Sequence, residues 1–470
     1  MSLAKCIIYG GLDEIRTCIN QGAEINQIDE YGYNPLVQAA IVNDVEKAKL
    51  LLEHGAEIDF ADLSGRTALH WAADNNNLAL ASLLLKKGAD PNAYTRAGLP
   101  VLGMPFLRNY GQMKDLLYRH NASLEFVQDF INTKLLGHRF DLTGRVDLVD
   151  PQGRFFEIEF EGFYFEFSLA MIISNLIDFR NNYGGKHLRP FFDKLNIIIA
   201  ALSNGEQLLK YQHYLIDKHE HNDNIEKLLH IRPLFLPIAY EGHAISLIRY
   251  GNWLVRCDRG EYGRQHGTVI IYKIQNTQHF TRKLCKNLLY KRQYKHIIDD
   301  GLGAYLELQT KYTLPLSHQI SGNCSWANLE ATIPALMFML LLDEAMASKV
   351  VDIEACKQQA MNFYNDWKEW DKSRALHFCT QSFYDPNTSP ARKASKAATL
   401  AAILYQECEF GKPTDFAKAE KILDILMQEE YQYILRTYVE IFKNDMTNQQ
   451  TRYFFEFLED NAINIESLKK

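Results

Sequence analysis

The amino-acid sequence predicts a multidomain protein of the α and α+β classes: a solenoid of helical repeats, then an α+β domain, then a helical region. Three observations predict it. Gly-Ala motifs recur every 33 residues through the first quarter of the chain. Short strand-like runs separated by Gly-containing turns follow, between about residues 140 and 260. From Ala335 onward apolar residues recur at helical spacing with charges opposite. Divisions at 1–125, 126–345 and 346–470 fit these patterns, and 470 residues exceed what one core supports.

The repeats read GAEIN at 22–26, GAEID at 55–59, GADPN at 88–92 and, more weakly, NASLE at 121–125. Gly32, Gly65 and Gly98 keep the same phase, opening GYNPLVQAA at 32–40 and GRTALHWAA at 65–73. Gly22, Gly55 and Gly88 follow apolar helical runs, where a left-handed C-cap is needed. Asn121 takes that place in the fourth copy, and Asn is the next most tolerant residue. Period and motifs resemble the ankyrin repeat. The resemblance implies four helix-pair repeats, the first acting as a cap. The fourth is degenerate, because Pro100 and Pro105 work against its first helix. His70, in the TALH position, is expected to bond local backbone. A single repeat cannot bury its apolar face, so the stack forms the core. The resemblance implies protein binding along the concave face and turn tips; a rigid spacer is the alternative.

Past residue 126 the period disappears. FEIEF at 156–160 and FYFEF at 163–167 flank Glu161-Gly162, which predicts a hairpin, with Ser168 capping a helix that runs through Phe179. His213, Asp217, His219 and His221 lie close together, but their spacing matches no common zinc pattern, so a solvated helix surface is predicted.

Two segments carry chemistry. Residues 233–260 read PLFLPIAYEGHAISLIRYGNWLVRCDRG, predicting strands over 234–239, 243–249 and 253–257 joined by tight turns. His243 opens the second strand and Asp258 ends the third. In an antiparallel pair joined by a short turn, the start of one strand faces the end of the next. His243 and Asp258 are therefore expected to be neighbours, and a carboxylate would then fix the histidine's tautomer. Residues 314–330 read LPLSHQISGNCSWANLE, placing Cys324 just before an apolar helical run. A helix N-terminus stabilises thiolate, the attacking form of cysteine. The Cys324 backbone N–H and the Gln319 side-chain amide are candidate oxyanion donors. Taken singly, a strand histidine is more often a core residue and such a cysteine inert. Cys257 reads as core packing.

Together, the GHAISLI strand, the aspartate ending the next strand and Q-x4-CSW resemble a papain-like cysteine peptidase over about residues 140–345. The order His243, Asp258, Gln319, Cys324 is similar to the permuted papain-like families: the adenoviral protease, the SUMO-specific proteases and the YopJ-type effectors. The resemblance implies Cys324 as nucleophile, His243 as general base and acid, Asp258 as its orienting group and Gln319 in the oxyanion hole. Trp326 lies two positions after the cysteine rather than next to it, and the Gln319–Cys324 spacing is one shorter than papain's; both departures bear on Gln319. The implied activity is hydrolysis of a peptide or isopeptide bond in a protein that the repeats recruit. A Ser, Thr or Lys acceptor would make it an acyltransferase, and a glutamine substrate a deamidase. The alternative from another class is a catalytically inactive papain-like scaffold for protein interaction. Ankyrin repeats joined to such a domain resemble secreted effectors of intracellular bacteria, acting on host proteins in the host cytosol or nucleus.

The remaining sequence narrows the partners. Hydrophobic residues make up 47%, charged residues 23%, and the net charge is −7, which argues against a general nucleic-acid binder. The basic stretch Lys283, Lys286, Lys291, Arg292 and Lys295 includes Leu288, Leu289 and Tyr290, so it reads as the solvated face of an amphipathic helix. Eight dispersed cysteines without a CxxC pair form no disulfide framework and suggest a reducing compartment. The first residues look like a repeat helix rather than a signal peptide. The apolar run within 333–342, broken by Pro334, falls short of the roughly 20 residues a membrane helix needs, so a soluble protein is expected. No cofactor or metal is expected, and a monomer is. The helices from 394–408, 416–427 and 431–458 read as core packing or a partner surface.

Overall fold

The computed structural model describes residues 3–320, 322–408, 413–461 and 463. Helix pairs α1 (Leu3–Tyr9) and α2 (Leu12–Asn20), α3 (Pro35–Ile41) and α4 (Val45–Glu53), α5 (Ala68–Asp74) and α6 (Leu78–Lys86), and α7 (Gly103–Leu107) and α8 (Gly111–Arg119) stack in order. The C-caps are left-handed as the period requires, with φ +85°, +85° and +96° at Gly22, Gly55 and Gly88 and +68° at Asn121. A further 33-residue series joins the helices of the second to fourth pairs: Asn43, Asn76 and Asn109 have φ of 63°, 54° and 55°. Repeats are laced together by side chains. Asn26 accepts from the Glu57 N–H, Asp59 from Asp90 and Asn92 from Ser123, at 2.8, 3.0 and 2.8 Å.

The first helix of the fourth repeat does form. It is only five residues long, and Pro105 sits in its first turn, where no intrahelical N–H is required. His70 bonds local groups, as expected. Its Nδ1 meets the Thr67 N–H at 3.1 Å, its Nε2 lies 3.3 Å from the Leu99 carbonyl, and burial pulls its pKa down to about 3.

The α+β part begins with α9 (Leu124–Arg139), β1 (Arg145–Val149), β2 (Phe155–Glu159) and α10 (Phe165–Asn181). The hairpin expected across Glu161-Gly162 is absent. Instead β2 pairs antiparallel with β1, upstream of it. Phe165 and Phe167 belong to α10, and Ser168 is buried inside that helix, with Tyr164 at the N-cap. Buried Phe167, Ile172, Leu176 and Phe179 recur at helical spacing over 17 residues, and this outweighs a five-residue alternation.

After α11 (Phe192–Lys210) and α12 (Asn222–Leu228), a five-stranded antiparallel sheet runs in sequence order. It comprises β3 (Leu234–Tyr240), β4 (His243–Tyr250), β5 (Trp253–Cys257), β6 (Val269–Ile274) and β7 (Leu308–Leu314). Helix α13 (Glu261–His266) links β5 to β6; α14 (Arg282–Tyr290) and α15 (Leu302–Leu306) link β6 to β7. Both faces of the sheet are covered. Phe235, Ile248, Val255 and Ile271 join the main core with α16 (Cys324–Glu330) and α17 (Thr332–Ser348). Leu236, Leu247, Leu254 and Ile270 pack with Leu288, Leu289 and Leu306.

The apolar stretch around 333–342 is longer than the sequence reading allowed. Cys324–Ser348 is long and apolar enough to cross a membrane by length and composition, yet 67% of its apolar 18-residue window is buried inside the protein, as in a core helix. Its break falls at Ala331, and Pro334 sits in the first turn of α17. The His213–His221 segment forms turns rather than the helix surface expected. On α14, Leu288 and Leu289 face inward, and Lys286 pairs with Glu226.

The C-terminal helices α18 (Ile353–Tyr384), α19 (Pro390–Glu407), α20 (Pro413–Leu426), α21 (Gln432–Phe442) and α22 (Gln449–Asp460) complete a multidomain α and α+β fold. They are tied to the preceding part by charge. Asp129 on α9 meets Arg392 and Lys396 of α19 at 2.6 Å each, and Arg139 meets Asp371 of α18 at 2.8 Å.

Candidate active site at the N-terminus of α16

Glu241 and Gly242 turn the chain between β3 and β4 with φ of 46° and 80°, and Tyr240 pairs directly with His243. This two-residue turn with both φ positive matches the twist of the strands it joins. The β4–β5 register pairs Ser246 with Cys257, so His243 comes level with the chain just past β5. There His243 Nε2 lies 2.9 Å from Asp258 Oδ1. The expected neighbours are brought together.

Asp258 is 1% exposed and fully engaged. Besides the imidazole it accepts from Arg256 Nη2 at 2.8 Å and from the Gly260 N–H at 3.1 Å. Burial alone would raise its pKa; the His243 hydrogen bond and the Arg256 charge outweigh that and hold it ionised. Arg256 also pairs with Asp299, and its guanidinium lies 3.5 Å over the Tyr262 ring. Gly260 is required by close approach. A Cβ there would stand 2.8 Å from His243 Cε1 and 3.1 Å from Nε2.

Cys324 begins α16, with its sulfur 3.9 Å from the Gly242 carbonyl oxygen at the end of the hairpin turn. Burial pushes its pKa up, but hydrogen bonds from the His243 ring and from the Ala244 and Ser325 N–H groups, together with the imidazolium charge, bring it below the ordinary thiol value. The same interactions act on His243. Burial lowers its pKa, and the bonds to Asp258 and Cys324 reverse this and raise it to about 9. Nε2 is held by Asp258, which leaves Nδ1 as the ring nitrogen available to the thiol. By contrast, burial pushes the thiols of Cys285 and Cys379 to about 11, and that of Cys257, packed in the core, higher still.

Gln319 lies beside this pair rather than in it. Its N–H donates to the Arg259 carbonyl at 2.9 Å, and its Oε1 accepts from Asn328 Nδ2 at 3.2 Å. Asn328, one turn after Cys324 on α16 and fully buried, was missed by the sequence reading. It also donates to the Ala244 carbonyl at 2.7 Å and accepts from the Arg259 N–H at 2.6 Å. Glu330 was missed too. It receives Arg259 Nη1 at 3.2 Å, Tyr364 Oη at 2.9 Å and Lys368 Nζ at 3.2 Å, the last two from α18. The available signal was an amide and a carboxylate, Asn328 and Glu330, within the mostly apolar run that follows Cys324. Asn323, just before the cysteine, is held by His138 and Asp141. Among the described residues no group of three or more His, Cys, Asp or Glu is placed to hold a metal ion.

A family model for ankyrin repeats (3 copies) matches residues 3–95. No curated protein sequence gives a match. A solved structure, that of the Legionella effector AnkH, is similar at 40% identity and a TM-score of 0.80, covering 99% of this chain and 98% of that one. The chain therefore belongs to the family of the Legionella effector AnkH, with ankyrin repeats at its N-terminus.

Proposed function

We propose that the protein is a cysteine-dependent hydrolase with a papain-like centre, acting on a peptide or isopeptide bond of a protein held by its repeats. The observation that carries this is the depressed Cys324 thiol beside a His243 raised to about 9 and anchored by Asp258. The lowered thiol and raised imidazole both favour passing the thiol proton to the ring, as thiolate attack needs.

The Cys324 thiolate attacks the carbonyl carbon, and the C=O electron pair moves onto oxygen. The oxyanion is received by the Cys324 N–H and the Gln319 amide. The His243 imidazolium gives its proton to the departing amine as the C–N bond breaks, leaving a thioester. His243, now neutral, takes a proton from water; hydroxide adds to the thioester, and thiolate leaves. Binding by the repeats raises the local concentration of the substrate protein. Membership of an effector family supports a role on host proteins inside the host cell.

The test is acylation. Incubated with p-nitrophenyl acetate, the protein should release a burst of nitrophenolate and carry one acetyl group, mapped by mass spectrometry to Cys324 and lost in His243→Ala. Acetylation spread evenly over exposed cysteines, or unchanged in His243→Ala, contradicts the proposal.

A further inference from the structure

We infer that Asn328 is a positioning residue that sets the Gln319 carboxamide with its N–H₂ end free for the reacting carbonyl oxygen. The inference rests on the hydrolase reading and adds what aligns its second oxyanion donor.

A carboxamide's oxygen and nitrogen ends are assigned from their partners. Here the assignment starts from groups with no ambiguity. The Arg259 backbone N–H can only donate, so the Asn328 atom 2.6 Å from it is oxygen. The Ala244 backbone carbonyl can only accept, so the Asn328 atom 2.7 Å from it is nitrogen. Two fixed backbone groups on opposite ends therefore lock Asn328. Its nitrogen also reaches the Gln319 side chain at 3.2 Å, which makes that Gln319 atom the carbonyl oxygen. The Gln319 nitrogen is then the end not engaged by Asn328, which leaves its N–H groups to donate elsewhere. The Gln319 backbone is pinned as well, by its N–H bond to the Arg259 carbonyl at 2.9 Å.

The geometry also explains why one residue suffices. Asn328 is fully buried and lies one helical turn after Cys324, so the two share a face of α16. Ala244 follows His243, and Arg259 follows Asp258. A single carboxamide thus reads the nucleophile's helix, the base's strand, the orienting carboxylate's strand end and the Gln319 loop. An aspartate of the same shape would still accept from Arg259 but could not donate to Ala244 or Gln319. Gln319 would lose the partner that orients it.

The test compares two reactions at Cys324. Acylation by p-nitrophenyl acetate passes through an oxyanion; alkylation by iodoacetamide does not. Gln319→Ala should lower the acylation rate by about 10²-fold, the usual loss for one oxyanion donor, with alkylation unchanged across pH. Asn328→Asp and Asn328→Ala should lower acylation by a similar factor. Placed on the Gln319→Ala background, they should cost little more, because both act through one donor. Asn328→Ala leaves buried groups unpaired, so thermal unfolding of each variant is recorded, and Gln319→Ala, at a half-buried position, supplies the comparison if it unfolds. Full additivity of the two losses, or an acylation-to-alkylation ratio unchanged in Asn328→Asp, overturns the inference. An ordinary Cys324 alkylation profile in the unmodified protein would instead overturn the hydrolase reading.

Discussion

Two histidines, one in the repeats and one at the thiol site, begin from the same chemistry and end six pH units apart. His70 and His243 are both largely buried, and for both burial disfavours the charged ring. In the repeat stack His70 hydrogen-bonds Thr67 and the Leu99 carbonyl, and burial together with the Arg66 charge pulls its pKa down to about 3. At the sheet end His243 meets an ionised aspartate and a thiol, and its pKa rises to about 9. Burial beside a cation leaves the ring neutral; burial with a hydrogen-bonded anion favours the charged ring.

The opposed shifts imply opposed pH dependence. His70 binds fewer protons folded than unfolded. Its contribution to stability is complete above about pH 6.5 and is lost as pH falls toward 3, by about 1.4 kcal/mol per unit. His243 has the raised value, so its contribution is complete below about pH 6.5 and is lost as pH rises through about 9.

The largest effect on the thiol reaction is expected from Cys324→Ala, which should lower acyl transfer by at least about 10³-fold, measured as nitrophenolate release. His243→Ala comes next. Without the imidazolium the buried thiol loses its main stabilising partner and its pKa rises, so alkylation at pH 6 should fall by about 10²-fold. Gly260→Ala is smaller. Its Cβ would displace the imidazole from Asp258, and acylation should drop about 10-fold with little change in melting temperature. His70→Gln should leave Cys324 chemistry untouched. It should instead cost about 1 kcal/mol at pH 7, read as faster amide exchange in α5, and flatten the loss of stability below pH 6.5. A change in Cys324 alkylation in His70→Gln would erase the contrast between the two regions.

Much of this was legible in the sequence because it is local or periodic. The glycine C-caps follow from a 33-residue period, and the His243–Asp258 pairing follows from two short turns. Cys324 opening a helix follows from the apolar run behind it. The Asn43, Asn76 and Asn109 series was equally periodic and went unread. What the sequence hid joins distant segments. Nothing near Asn328 announces that it touches Ala244 and Arg259, 84 and 69 residues away. Glu330 meets Lys368 only because α18 folds back along α17. The misread hairpin at 156–167 shows the opposite error, a short alternation taken as a strand where a longer helical period governs.

The most direct test of the thiol site is the rate of iodoacetamide alkylation at each cysteine against pH, mapped by mass spectrometry. The account predicts that Cys324 reacts fast and selectively well below pH 8.5, with a profile that shifts up in His243→Ala. Alkylation of Cys324 that rises only near pH 8.5 to 9, in step with other accessible thiols and the same with or without His243, would contradict it.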